Sequence, residues 1–207
     1  MALSYLALGD SYTIGEGVDP AARWPQQLVA GLRDIGVAVD DPQIIATTGW
    51  TTDELEAGID AAAPRGPFGL VSLLIGVNDQ YRGRSVDDYR PRFTALLQRA
   101  LGFAGDRAQR VLVLSIPDWG VTPYAREHNR DRVQVGQEMD AYNAAAAAIC
   151  AEHGVSFIDI TDLSRVPGAE AVMLVDDGLH PSAAMYALWT ERAFQVARVQ
   201  LADEVPR

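Results

Sequence analysis

Short apolar runs alternate along this chain with longer segments in which apolar residues recur every three or four positions. Runs of strand length lie at residues 5–8, 43–46, 70–75, 111–115 and 155–158. The first helical segment is expected over residues 24–35, with Leu28, Val29 and Leu32 on one face and Gly36 as its stop. Thr51 with Glu54, and Ser85 with Asp88, have the spacing of capping boxes and mark the starts of a second and a third. A fourth is expected near residues 135–153, carrying an alanine run and ending before Gly154, and a last one over residues 182–201, after Pro181. Strand and helix thus alternate, which predicts an α/β fold with a central five-stranded parallel sheet covered on both faces. The whole chain, residues 1–207, fits one domain. The longest stretches without a regular pattern are residues 116–131 and 160–179, and loops of that length in a compact α/β chain are usually functional.

Charge and composition narrow the chemistry. A net charge of −11 argues against nucleic acid and against an anionic membrane surface, both of which select basic patches. All 17 cationic residues are arginine, so Schiff-base lysines and Ser/Lys pairs are excluded. No P-loop occurs, and Gly15-Glu16-Gly17 lacks the third glycine of a dinucleotide fingerprint. The single cysteine, Cys150, has no internal disulfide partner, and its place in an alanine-rich helix suits packing rather than a thiol pair with His153. The amino terminus lacks the pattern of a signal peptide, so a cytoplasmic protein is expected. No apolar run approaches the ~20 residues of a membrane span.

Ligands of an open parallel sheet collect beyond the carboxyl ends of its strands, where strand order reverses. Ser11 follows the first strand, Gly49 the second and Asn78 the third, while His180 lies in the loop after the fifth. All four are expected at one sheet edge. Serine is a weak nucleophile and needs a base, an acid to orient that base, and donors for an oxyanion. Of the three histidines, His128 sits in a polar stretch and reads as a solvated loop residue, and His153 reads as a helix-end residue. His180 has Asp177 three residues before it and Pro181 after it, a residue suited to the first helical position. A helix mouth disfavours the imidazolium while a carboxylate favours proton uptake, and this opposition suits a general base. Asp176 competes with Asp177 for the acid's place. The aspartates at 159, 162, 176 and 177 match no metal-ligand loop, so no metal is expected. Amides at Ser11 and Gly49 and the side chain of Asn78 are the candidate oxyanion donors.

These residues resemble the blocks of the SGNH hydrolase superfamily, the GDSL esterases and lipases. Gly9-Asp10-Ser11 is similar to the first block, Gly49 to the second, Gly76-Val77-Asn78-Asp79 to the third and Asp177-Gly178-Leu179-His180 to the last. The resemblance implies a flavodoxin-like three-layer α/β/α sandwich and a cofactor-free serine hydrolase. In it Ser11 attacks, His180 moves the proton, Asp177 orients the ring, and Ser11, Gly49 and Asn78 hold the oxyanion. An acyltransferase or thioesterase on the same scaffold is the alternative within enzymes, and a ligand-binding module without chemistry the alternative outside them. The pattern G-x-S-x-G of the α/β-hydrolases is absent around Ser11. For the pocket, Trp119 is expected on one wall and Tyr81 and Arg82 on the other, with the guanidinium suited to a polar or anionic leaving group. A small-molecule ester of short acyl chain is therefore the expected partner. Oligomeric state is not legible.

Overall fold

The computed structural model describes residues 2–166 and 170–204. Five strands, β1 (Tyr5–Gly9), β2 (Gln43–Ala46), β3 (Leu70–Leu74), β4 (Val111–Leu114) and β5 (Ser156–Ile158), form one sheet in the order β2-β1-β3-β4-β5 with every pair parallel. All residues of β1, β3 and β4 are buried, the signature of a sheet covered on both faces. Within that apolar layer the Tyr5 hydroxyl and Ser72 Oγ satisfy each other at 2.8 Å.

The helices are α1 (Ser11–Ile14), α2 (Trp24–Asp34), α3 (Thr52–Ala62), α4 (Val77–Tyr81), α5 (Val86–Phe103), α6 (Pro123–Glu127), α7 (Arg132–Glu152), α8 (Thr161–Arg165) and α9 (Ala183–Gln200). Helices α2 and α9 pack together, with Trp24 and Trp189 wholly buried, while α3, α5 and α7 pack in sequence as a second layer. The molecule is thus the α/β/α sandwich that the strand and helix pattern predicts.

Strand order reverses beside β1, because the chain leaves β1 for β2 on one side and crosses to β3 on the other. The crevice beyond the carboxyl ends of β1, β2 and β3 is therefore the natural ligand position. Several boundaries differ from the sequence reading. Helix α7 starts at Arg132, three residues early, because Asp131 Oδ1 accepts the amides of Val133 and Gln134. The irregular segments hold short helices α6 and α8, and residues 167–169 of the second segment lie outside the described residues. Pro181 does not open α9. Ser182 is its N-cap, bonding the Met185 amide, and Pro181 pairs instead with Leu174 in an isolated antiparallel bridge. His180 consequently sits ahead of the helix mouth, and the helix-dipole argument for it falls away.

Candidate active site

Strand β1 delivers Gly9-Asp10-Ser11 to the crevice, where the one-turn helix α1 begins. Asp10 caps that turn through Oδ1, which accepts the Tyr12 amide at 3.0 Å, and its carbonyl accepts the amides of Thr13 and Ile14. Among the described residues the Ser11 amide has no partner, so it is free to donate into the crevice. Ser11 itself is buried. Burial also pushes the Asp10 carboxyl up to about 8, against the pull of the Tyr12 amide and with added repulsion from Asp79.

After β2 the chain turns at Gly49, whose φ of +87° is left-handed. A Cβ there would meet nothing within 4 Å, so the position requires glycine for its backbone and not for space. Its amide also lacks a partner among the described residues, whereas the Trp50 amide closes the turn onto Thr47. The Gly49 carbonyl is held from outside by Arg82 Nη2 at 2.7 Å. Asn78 lies in α4, which Gly76 begins at φ +130°, where a Cβ would strike Ile116 and Tyr89. One N–H of the Asn78 amide donates to the Trp50 carbonyl at 2.9 Å, which fixes the side chain and leaves its second N–H free. Beneath it the wholly buried Asp79 accepts the Thr52 amide and hydroxyl and the Arg84 guanidinium. The loops after β2 and β3 are thereby tied into one unit.

His180 and Asp177 occupy a single turn. Asp177 Oδ2 accepts from His180 Nδ1 at 2.6 Å, and Oδ1 accepts the amides of Leu179 and His180 at 2.8 and 2.9 Å. Desolvation opposes the Asp177 charge, but these bonds outweigh it and hold the carboxyl below its ordinary value. With Nδ1 engaged, the ring turns Nε2 to other partners. Asp176 is exposed and takes no part in this arrangement.

Ser11, Gly49, Asn78 and His180 line one cavity of about 190 Å³, together with Tyr12, Thr48, Val77, Tyr81, Trp119, Tyr124 and Leu179. Residues that follow all five strands thus meet at one place. Trp119 and Tyr81 stand on its wall. Arg82 does not: its guanidinium is committed to Gly49 and to Glu54, outside the cavity. The reading of Arg82 as a pocket residue is corrected accordingly. His128 is also more than a solvated loop residue, because its ring stacks on Tyr124 at 3.9 Å and its Nδ1 bonds the Tyr124 carbonyl. The sequence reading passed over Thr48 and Leu179. Leu179 was signalled by its place between acid and base, while Thr48, tied to Glu16 by its hydroxyl, had no pattern to announce it.

Elsewhere, Cys150 is buried and its thiol is pushed up to about 12 by desolvation, as suits a packing residue. His153 caps α7 and bonds the Ile149 carbonyl through Nδ1. Among the described residues no group of three His, Cys, Asp or Glu side chains is placed to hold a metal ion, and no helix is long and apolar enough to cross a membrane.

Solved structures share this architecture across nearly their full lengths. TesA superposes with a TM-score of 0.76 at 21% identity, covering 96% of this chain and 99% of that one. The psychrotrophic esterase EstA from Pseudoalteromonas sp., inhibited by monoethylphosphonate, gives 0.73 at 15% identity, with 96% and 98% covered. A variant of Axe2, an acetyl-xylooligosaccharide esterase from Geobacillus Stearmophilus, gives 0.69 at 18%, with 94% of each chain covered. At these identities the likeness is one of fold. No curated protein sequence matches this chain. The model of the GDSL-like lipase/acylhydrolase family matches residues 7–188, a span that includes every cavity residue named above. The chain therefore belongs to the GDSL-like lipase/acylhydrolase family and is a carboxylic ester hydrolase of that type.

Proposed function

We propose that the protein hydrolyses small carboxylic esters through an acyl-enzyme on Ser11. The observation that carries this reading is the Asp177–His180 pair at 2.6 Å, held by two backbone amides on the cavity that Ser11 also lines. His180 Nε2 accepts the Ser11 proton as Oγ bonds to the ester carbonyl carbon, and the carbonyl π electrons move onto oxygen. In this reading the Ser11 and Gly49 amides and the second Asn78 N–H donate to that oxyanion. When the tetrahedral adduct collapses, the alkoxide leaves with the proton from His180, and the acyl group stays on Oγ. Water then repeats the sequence: His180 takes its proton, the hydroxyl adds to the acyl carbon, and Ser11 leaves as the alcohol. Asp177 keeps one tautomer in place and balances the imidazolium, without itself accepting a proton.

The cavity is smaller than the roughly 300–1,000 Å³ of pockets that enclose drug-sized ligands, which supports short acyl groups. The direct test is Ser11→Ala with an activated ester and with a fluorophosphonate. Turnover and covalent mass gain are both expected to vanish while the circular dichroism spectrum stays unchanged. Undiminished turnover in the variant would remove Ser11 from the mechanism.

A further inference from the structure

Arg130 lies against two rings that line the cavity, and among the described residues its charge has no carboxylate partner. Its Cζ lies 5.0 Å from the ring centroid of Tyr81 and 5.2 Å from that of Trp119, two of the rings that line the cavity. The backbone that carries it is fixed: Asn129 turns through φ +52°, its amide bonds the Arg126 carbonyl, and the Arg130 amide bonds the Ala125 carbonyl. Neighbouring arginines of the site are consumed within the protein, Arg82 by Glu54 and Gly49, and Arg84 by Asp53 and Asp79. Among the described residues Arg130 has neither a carboxylate within ion-pair distance nor a side-chain hydrogen bond. Contact with the rings engages the charge and leaves its five N–H donors unspent.

We propose that Arg130 is an anion-recognition element of this site, and that the enzyme acts on esters carrying a carboxylate at a distance from the scissile bond. This rests on the Ser11 ester-hydrolase reading above. A planar guanidinium suits a carboxylate bidentately, and Tyr81 and Trp119 hold the plane beside the cavity without competing for its donors. The hydroxyls of Tyr81 and Tyr124, 3.2 Å apart, complete a polar lip next to it. The sequence placed an anion-binding guanidinium here through Arg82. In the folded protein that role passes to a residue of the α6–α7 connection.

The test uses the full chain at about 0.15 M ionic strength, where the Debye length of about 8 Å screens the overall negative charge. Each charged ester is paired with a neutral twin: monomethyl succinate with methyl butyrate for an acyl-side carboxylate, and m-acetoxybenzoate with its methyl ester for an alcohol-side one. Acid release in a pH-stat gives kcat and KM for the wild type, Arg130→Ala and Arg130→Lys. For one of the two pairs, Arg130→Ala is expected to lower kcat/KM of the charged member about 10-fold, mostly through KM, with under twofold change for its twin. Arg130→Lys should recover part of the loss, and the pair that responds identifies which side of the ester bears the anion. An equal loss on charged and neutral members would make Arg130 a prop for the two rings and overturn the proposal, as would no loss on either. Persistent turnover of the neutral twins by Ser11→Ala would instead strike the hydrolase reading alone, because the Arg130 result is a ratio between twins.

Discussion

Asn78 shows how much of a side chain's role is set by one hydrogen bond. Its donation to Trp50 spends one N–H and aims the other, so the amide is fixed before any substrate arrives. Asn78→Ala is expected to lower kcat about 10²- to 10³-fold with KM nearly constant, the pattern of a donor used chiefly in the transition state. A change confined to KM would make Asn78 a ground-state contact. Asp177→Asn should likewise impair kcat far more than Asp176→Asn, since only Asp177 reaches the ring. Comparable losses would assign the acid wrongly. Asp10, next to Ser11, supplies a pH signature of a different kind. Its folded carboxyl titrates near 8 because of burial, against 3.8 ordinarily. Between those values the folded state holds a proton that the unfolded state has lost, so this group makes stability fall as pH rises. The slope is at most about 1.4 kcal/mol per pH unit. Urea midpoints from pH 5 to 9 should decline more steeply in the wild type than in Asp10→Asn, and parallel curves would contradict the burial argument.

At the level of elements, strands β1 to β5 and the long helices were legible because a buried parallel strand is a continuous apolar run and an amphipathic helix repeats at 3.6 residues. The two helices that carry Ser11 and Asn78 were not. A single turn is shorter than the period by which a helix is recognised, and α1 and α4 exist because Asp10 and Gly76 start them at strand ends. Pro181 misled for a related reason. Its fixed φ suits a helix start, but the Ser182 hydroxyl reaches Met185 and takes the cap, leaving the proline to the bridge with Leu174. Spacing alone left Asp176 and Asp177 in competition, and the bond from His180 Nδ1 to Asp177 Oδ2 is what separates them. Arg82 was misplaced because charge pairing is decided in three dimensions: Glu54, on α3, claims its guanidinium.

Across the whole molecule, the cavity and its surroundings set the range of substrates. A second space, of about 20 Å³ and lined by Val121, Leu174, Met185 and Trp189 among others, adjoins the cavity behind Tyr12, Trp119 and Leu179. It holds little more than one water, so under the proposed reaction a short acyl group is expected to fill the cavity without entering it. Esters from acetyl to butyryl are expected to be turned over faster than long-chain ones, with no jump in rate on micelle formation. In Leu179→Ala the optimum should move to longer chains as the two spaces join. Rates that climb from acetate to palmitate in the wild type, or an optimum unmoved in the variant, would refute the partition. The placement of Asp177 and His180 within one turn bears on how activity is regained after denaturation. Asp177 and His180 meet by local chain closure, whereas Ser11, at the end of the first strand, joins His180 on the cavity only through contacts distant in sequence. Contacts so distant in sequence are the slow ones to form. Recovered turnover therefore reports the last stage of refolding, and is expected to lag behind signals from individual helices.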